Sequence, residues 1–401
     1  MTAFIRPAAL AGTVAAPPSK SMAHRLLLCA GQAVGKTCVK GVALSEDVSA
    51  TLDCLRALQA DCLWEDGDVY VSGTALRCGA EGAVLPCRES GSTLRFLLPS
   101  CLLGPPVTLT GSRRLMERPM EVYAGLCRAQ GIRFQSGPER LSVEGVLHPG
   151  TFDLPGDVSS QFVSGLLFAL PRLEGDSRIH LRPPVESRSY IDMTLEALRT
   201  FGVEAGWLDR ETIAVPGRQR FSPRETVTVE GDWSNAAFFL ALGLPVTGLR
   251  RDSLQGDRVC EAFFQALEGE RAELDLSDCP DLGPVLFAYA ALHRGGVFTG
   301  TRRLRIKESD RGAAMRAEMK KFGVDMTVEE NRITVGTGLR PPAEPLEGHN
   351  DHRIVMALSI LCTRTGGVIR GAEAVRKSFP DFFDRLRDCG GKVEITDGMD
   401  Q

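Results

Sequence analysis

The chain has 401 residues, 43% of them apolar and 24% charged, with a formal net charge of −4. That length exceeds what one hydrophobic core usually supports and predicts two domains of roughly 200 residues. The composition excludes a disordered chain, the slight acidity argues against a general nucleic-acid or membrane-surface binder, and no run nears the roughly 18 apolar residues of a membrane span. The twelve Cys form no C-x-x-C pair. The start, MTAFIRPAALAG, has neither the apolar core of a signal peptide nor the Arg/Ser bias of a transit peptide, so free thiols in a reducing cytoplasm are expected.

An opening strand, TAFIRPAAL, leads to the first of six similar stretches in which a polar loop runs into a wholly apolar helix. They begin near Ser19 (SKSMAHRLLLCAG), Ser90 (SGSTLRFLLPSCLLG), Val158 (VSSQFVSGLLFAL), Trp233 (WSNAAFFLALG), Asp281 (DLGPVLFAYAALHRGG) and Asn350 (NDHRIVMALSILC). Spacings of 71, 68, 75, 48 and 69 residues are too long for common solenoids and fit one repeated supersecondary unit. Short strands follow (VTLTG, RIHLRP, GVFTG, GVIRG), then charged loops that open a second set of helices: DVSATLDCLRALQA, RPMEVYAGLCRAQG, YIDMTLEALRTFG, DRVCEAFFQALEG, DRGAAMRAEMKKFG and FPDFFDRLRDCGG. Most of these carry apolar residues at i, i+3, i+4 and i+7, the stripe of a half-buried helix. Five of the six meet Gly at or just past the end, where a left-handed C-cap is expected, and a further strand commonly follows (IRFQS, VEAGWL, VDMTVEE, KVEIT).

Helices apolar on every side must be buried, whereas striped ones can face water. The pattern therefore predicts an α/β fold with three copies per lobe, apolar helices central, and sheets and amphipathic helices around them. The Pro and charged residues of SPRETVTV, from Pro223 to Val229, mark the boundary between lobes. The opening strand is expected to complete the sheet of the second lobe.

One string misleads. Ala30 to Thr37 (AGQAVGKT) matches a relaxed P-loop, but a helix precedes it and a strand follows, the reverse of what phosphate binding needs. A Gly turn at a helix end is the better reading. The helix starts carry more. Ser19 or Ser21 can cap a helix whose free amides, with Lys20 and Arg25, would hold a phosphate or carboxylate; the bland alternative is a capped helix with two solvated bases. Gly91 allows close backbone approach beside hydroxyls and Arg95, Ser159, Ser160 and Gln161 add neutral donors, and Arg353 stands at a helix start that disfavours a cation unless an anion intervenes.

The charged loops add Arg118 in MERP, Lys307, Glu308 and Arg311 in RRLRIKESDR, and Lys377 in RKSFP. Each loop alone reads as solvated charge. Together, on a net-acidic chain, they predict one electropositive cleft for small anions. Asp281 and Glu308 are the exceptions. They are either an N-cap and a simple ion pair, or the proton-transfer groups that a cation-rich site needs. No His pair has H-x-x-x-H spacing and no G-x-S-x-G occurs, so metal and nucleophile readings are poor.

PPSKSMAHR, ESGSTLRF, MERP, DVSSQF, ESRSYID, CPD, RIKESDR, NDHR and KSFPD occur in the order seen in the 5-enolpyruvylshikimate-3-phosphate synthase family, which the chain resembles over essentially its whole length. The resemblance implies the two-lobed enolpyruvyl transferase fold: six βαβαββ units, three per lobe, with buried central helices and outer sheets, an inside-out α/β barrel. It implies a lobe of residues 17–228 with most of the shikimate-3-phosphate site. A discontinuous lobe, 1–16 plus 229–401, would carry most of the phosphoenolpyruvate site with Asp281 and Glu308. The family's members act as monomers without a metal or organic cofactor, so a monomer is expected here, with glyphosate as an expected inhibitor. They close over both substrates, pass the enolpyruvyl group to the shikimate 5-hydroxyl through a tetrahedral intermediate and release phosphate, in the biosynthesis of chorismate and aromatic amino acids.

Carried over, the resemblance makes Ser21, Arg25, Ser159, Ser160, Gln161 and Ser187 contacts of the shikimate phosphate and ring, with Lys20 between the substrates. Gly91, Arg118, Gln161, Arg311, Arg353 and Lys377 fall to phosphoenolpyruvate. Asp281 becomes the base for the 5-hydroxyl, Lys307 a substrate-binding lysine and Glu308 the candidate acid. Three positions depart: Glu89 stands where many members have Asn, Ser92 where many have Thr, and Arg303 where some have an Asn that contacts substrate. The related UDP-N-acetylglucosamine enolpyruvyl transferases usually have Asn after the first Lys and a Cys in the loop before the Arg; here Ser21 and GSRRLMERP stand there. A ring clamp around nucleic acid would need basic helices, and the central ones here are apolar.

Overall fold

All six apolar stretches are helices in the computed structural model, which describes residues 1–76, 82–269 and 272–397. They span Lys20–Gln32, Gly91–Cys101, Ser160–Ala169, Trp233–Leu240, Gly283–Leu292 and His352–Thr365. Ser19, Ser90, Ser159, Asp232 and Asp351 each cap one with a side-chain oxygen. The fifth has no side-chain cap and is entered through the 3-10 turn Pro280–Leu282. These helices are buried almost throughout, whereas Glu121–Ala129 buries only Tyr123 and Cys127. The contrast follows from wholly apolar against striped sequences.

Chain contacts define two units, Pro18–Glu230 and Met1–Pro17 with Gly231–Gln401. Each has its own core. One gathers Leu27, Phe96, Leu97, Phe162 and Leu166, the other Phe238, Phe239, Phe287, Met356 and Ile360. Side chains of this size contribute about 1.5–3 kcal/mol each when fully buried.

Among the described residues five sheets are four-stranded, and three of them share one plan, in which a parallel pair brackets an apolar helix in sequence and two antiparallel strands follow. Thr151–Pro155, Ser177–Arg182, Thr212–Val215 and Gly206–Trp207, in that spatial order, are an example. Two sheets borrow a distant strand. Thr226–Thr228 pairs in parallel with Gly35–Lys40, and the opening strand Thr2–Arg6 lies antiparallel to both Gly367–Arg370 and Lys392–Thr396.

The fourth copy is truncated. Its sheet is only the parallel pair Val14–Ala15 and Val246–Thr247, and among the described residues no hairpin follows its helix Cys260–Glu268. The missing hairpin accounts for the short 48-residue interval to the next copy. Gly131, Gly202, Gly323 and Gly390 adopt left-handed φ where their helices end, but Gly269 does not, with φ −77°, and Gln59 takes that conformation itself at φ 67°. The P-loop look-alike falls where the helix ends at Gln32 and the strand begins at Gly35, so it is a turn without phosphate-binding context.

Every described cysteine is a free thiol and all but Cys38 are buried. Among the described residues no helix is long and apolar enough to cross a membrane. Close packing matters at one glycine. A Cβ on Gly165 would lie 2.1 Å from Tyr123 Oη and 2.2 Å from the Arg95 carbonyl oxygen, so helix Ser160–Ala169 touches the backbone of Gly91–Cys101 and keeps Gln161 beside Arg95.

Candidate active site

In the unit Pro18–Glu230 the polar residues cluster at the starts of buried helices. Ser19, rather than Ser21, is the cap of Lys20–Gln32, accepting the Met22 amide at 3.3 Å. Lys20 Nζ lies 2.6 Å from Asp47 Oδ2, in the first turn of Glu46–Ala57. Arg25 is only 2% exposed. It donates from Nε to Thr194 Oγ1 at 2.8 Å, from Nη1 to the Ser21 carbonyl at 2.7 Å and from Nη2 to the Tyr190 carbonyl at 2.8 Å. Three of the five N–H groups of a guanidinium are thereby tied to protein. Burial lowers its pKa to about 10, so it stays charged at neutral pH.

A chain of buried polar groups joins three helices: His24 Nδ1 and Thr51 Oγ1 at 2.8 Å, Thr51 and Thr93 at 2.7 Å, Thr93 and Ser90 at 2.7 Å. Burial, then Lys20 and Arg25, holds His24 well below its ordinary pKa, so its imidazole is neutral.

A Cβ on Gly91 would stand 2.5 Å from Arg118 Nη1 and 2.9 Å from its Cζ, so only glycine lets that guanidinium lie against the helix start. Arg118 is 9% exposed, and its Nε has no hydrogen-bond partner among the described residues. Arg95 donates to Gln161 Oε1 at 2.8 Å and to the Pro119 carbonyl at 2.9 Å, while Gln161 Nε2 donates to Ser92 Oγ at 3.0 Å. Ser159 caps its helix on the Gln161 amide at 3.3 Å, Ser160 begins that helix, and Ser187 holds a left-handed backbone just before Arg188–Thr200.

In the unit formed by Met1–Pro17 and Gly231–Gln401 the charges converge more tightly. Asp281 Oδ1 accepts from Arg311 Nη1 at 2.8 Å and lies 3.2 Å from Lys307 Nζ; Oδ2 accepts from Arg353 Nη2 at 3.3 Å. Arg311 also donates to Glu308 Oε2 at 2.6 Å and to Asp351 Oδ2 at 2.9 Å. Asp351, fully buried, accepts the Arg353 amide at 3.0 Å as the helix cap and Ser309 Oγ at 3.0 Å. Arg353 Nη2 reaches Ser234 Oγ at 2.9 Å, and Lys377 Nζ donates to the Asn350 carbonyl at 2.8 Å. Asp281 is therefore no helix cap, and Glu308 pairs with Arg311.

Burial works to raise the Asp281 pKa, but Arg353, Lys307 and Arg311 outweigh it and hold the carboxyl well below the usual range. Burial likewise opposes the charge on Arg311, yet Asp351, Glu308 and Asp281 more than offset it and raise its pKa. Lys307 is drawn below its ordinary value by burial, with Asp281 opposing. Such a cluster can hold a small anion and keep one ionised carboxylate beside it.

The family model described as EPSP synthase (3-phosphoshikimate 1-carboxyvinyltransferase) matches residues 5–386. The chain belongs to the EPSP synthase family. A 3-phosphoshikimate 1-carboxyvinyltransferase of Clostridium kluyveri is 37% identical, the match covering 97% of each chain. One of Clostridium perfringens is 36% identical over 97% of this chain and 98% of that one. Among solved structures, EPSP synthase of Acinetobacter baumannii superposes with a TM-score of 0.80 at 26% identity, covering 99% of this chain and all of that one. An enolpyruvyl transferase of Streptomyces tendae, 15% identical with a TM-score of 0.78 over 98% of both chains, shares the fold.

The positions matched to EPSP synthase motifs are all described. Asp281, Lys307, Glu308, Arg311 and Arg353 form one cluster, and Lys377 joins it through Asn350. Lys20, Ser21 and Arg25 share one helix, and Gly91 sits against Arg118. Asp47, Asp351, Thr194 and Ser234 carry no role implied by the motifs, yet each bonds a residue that does. Asp351 was in plain view two residues before Arg353; the Asp47 pairing spans 27 residues and leaves no local signal. Of the departures from the EPSP synthase pattern, Ser92 bonds Gln161, and Arg303, 5% exposed, donates to the Ser277 carbonyl.

Proposed function

We propose that this chain transfers the enolpyruvyl group of phosphoenolpyruvate to the 5-hydroxyl of shikimate-3-phosphate and releases phosphate, a transferase step toward chorismate and the aromatic amino acids. The observation that carries the reading is Asp281, an ionised carboxylate gripped by Arg311, Arg353 and Lys307. In the addition, the 5-hydroxyl oxygen bonds to the substituted enol carbon, Asp281 takes the hydroxyl proton, and Glu308 delivers a proton to the methylene. In the elimination, Glu308 takes a proton back from the new methyl group, the C–H pair re-forms the double bond, and phosphate leaves with the C–O bonding pair. Each transition state has cationic character at the substituted carbon, and the fixed cations hold the phosphate and carboxylate groups attached to it.

Phosphoenolpyruvate is assigned to Gly91, Arg118, Gln161, Arg311, Arg353 and Lys377, and shikimate-3-phosphate to Ser21, Arg25, Ser159, Ser160, Gln161 and Ser187. Lys20, held by Asp47, contacts both, and Lys307 binds substrate. The unfilled Nε of Arg118 supports the first assignment. A cytoplasmic monomer inhibited by glyphosate completes the reading, with the free buried thiols favouring a reducing compartment.

Purified protein given shikimate-3-phosphate and phosphoenolpyruvate is expected to release inorganic phosphate, and glyphosate to suppress the release. Turnover with UDP-N-acetylglucosamine and none with shikimate-3-phosphate would overturn the reading. Gly91→Ala should push the Arg118 guanidinium off the helix start. Because the obstructing atoms are the far end of a flexible side chain, the fold survives. The KM for phosphoenolpyruvate and the inhibition constant for glyphosate are expected to rise about tenfold, ~1.4 kcal/mol. Unchanged values for both would remove Gly91 and Arg118 from the donor site.

A further inference from the structure

Helix Arg311–Lys321 carries a second polar anchor, two turns beyond Arg311. Glu318 is 1% exposed. Its carboxylate bonds His349 Nε2 at 2.8 Å, accepts the Glu347 amide at 3.0 Å and lies 2.9 Å from Lys321 Nζ. A carboxylate so buried is tolerated only when donors offset its desolvation. Burial opposes its ionisation, but His349, Lys321 and the Glu347 amide outweigh burial and hold its pKa below the ordinary value. An ionised Glu318 can only accept, so His349 Nε2 carries the shared hydrogen.

The segment gripped in this way is strained. His349 and Asn350 both hold left-handed backbone, φ 50° and 52°. Asn tolerates that conformation better than most residues, so the cost falls mainly on His349, and it persists only where the surroundings over-determine it. The turn is also where the donor-site groups meet. The Asn350 carbonyl accepts Lys377, the Asp351 amide donates to the Gly348 carbonyl at 2.9 Å, and Asp351 in turn orients Arg311 and caps the helix that carries Arg353. One helix thus holds the turn at two points, Arg311 on Asp351 and Glu318 on His349 and Glu347.

We propose that Glu318 and His349 are positioning residues for the phosphoenolpyruvate site, fixing the left-handed turn that aims Lys377, Arg311 and Arg353. Neither residue bonds Asp281 or Glu308, and neither is given a part in the proton transfers. The inference rests on the placement of phosphoenolpyruvate among those three cations.

The test is steady-state kinetics of His349→Ala, His349→Gly and His349→Gln, with Lys377→Ala as reference. A lost hydrogen bond to a charged group is typically large enough for about a tenfold effect. His349→Ala is expected to raise the KM for phosphoenolpyruvate about tenfold and leave that for shikimate-3-phosphate unchanged. His349→Gly, which relieves the backbone but removes the donor, should show the same rise. His349→Gln, whose amide can reach Glu318, should recover most of the loss.

If Lys377→Ala raises the KM for phosphoenolpyruvate while His349→Ala and His349→Gly do not, the positioning role is wrong and the site reading stands. Equal rises for both substrates, with a lowered melting temperature and no rescue by His349→Gln, would mean a merely structural residue and also overturn it. If Lys377→Ala has no effect, the site reading falls and the inference with it.

Discussion

Replacing Asp281 by Ala or Asn is expected to lower turnover by about 10²- to 10⁴-fold, the usual contribution of a positioned general base, without raising the KM for phosphoenolpyruvate. Arg311, Lys307 and Arg353 all bond or face this carboxylate, and an incoming phosphate or carboxylate must compete with it for them. Removing Asp281 removes the competitor, so donor binding is unchanged or tighter while proton removal is lost. The same competition sets the pH dependence. In the free protein the three cations outweigh burial and hold the Asp281 carboxyl well below its ordinary value, which leaves it ionised but a weak base. A bound dianion offsets those cations and moves the pKa upward, at 1.36 kcal/mol per unit.

A base works only when ionised, so activity falls as pH drops through its pKa. The acid limb of kcat/KM reports the free enzyme and that of kcat reports the complex; the limb of kcat should therefore lie at the higher pH, and Asp281→Asn should abolish it. Equal losses of turnover and of shikimate-3-phosphate affinity would instead demote Asp281 to a binding residue.

Much of this architecture was legible because it rests on periodicity. Helices such as GPVLFAYAAL are apolar on every side and have no stable place except a core, and that is where Gly283–Leu292 lies. Repetition of the unit exposed its six copies. The truncation of the fourth was visible only as a short interval, because a missing hairpin leaves no residues to read. In the site, the residues that bear charge at helix starts could be named, but not the bonds that hold them. Arg25 looked like a free cation and proves to be tied to Thr194 and to two carbonyls, contacts that span up to 169 residues. Asp281 at a helix start fits the signature of an N-cap. Only folding, which brings Lys307, Arg311 and Arg353 around it, separates that role from a functional carboxylate. Local pattern thus fixes which groups are present, and tertiary contacts decide which of them are already satisfied.

Asp351→Ala is expected to be the most destabilising single change in the donor cluster. Asp351 is completely buried, and Arg311, itself 1% exposed, depends on it at Nε. Taking one partner from a buried ion pair costs about 3–5 kcal/mol where the other charge is left uncompensated, and Arg311 keeps Asp281 and Glu308, so the lower end applies; loss of the N-cap on His352–Thr365 adds about 1 kcal/mol, not strictly additively. A chain of two units need not unfold in one step, so the loss should be read from amide hydrogen exchange in His352–Thr365. Protection unchanged from the parent would sink the prediction.

The double replacement Asp351→Leu with Arg311→Met separates stability from function. A buried pair exchanged for apolar residues of similar volume is often neutral or better, so the double variant should recover the part of the protection lost in Asp351→Ala that comes from a desolvated Arg311, but not the part owed to the N-cap or to the Arg311 bonds with Asp281 and Glu308. Activity should not return, because Arg311 also bonds Asp281 and Glu308. Recovery of both would mean that Arg311 serves the fold alone. Recovery of stability alone would show that this buried charge is kept for what it does to phosphoenolpyruvate and to the two carboxylates beside it.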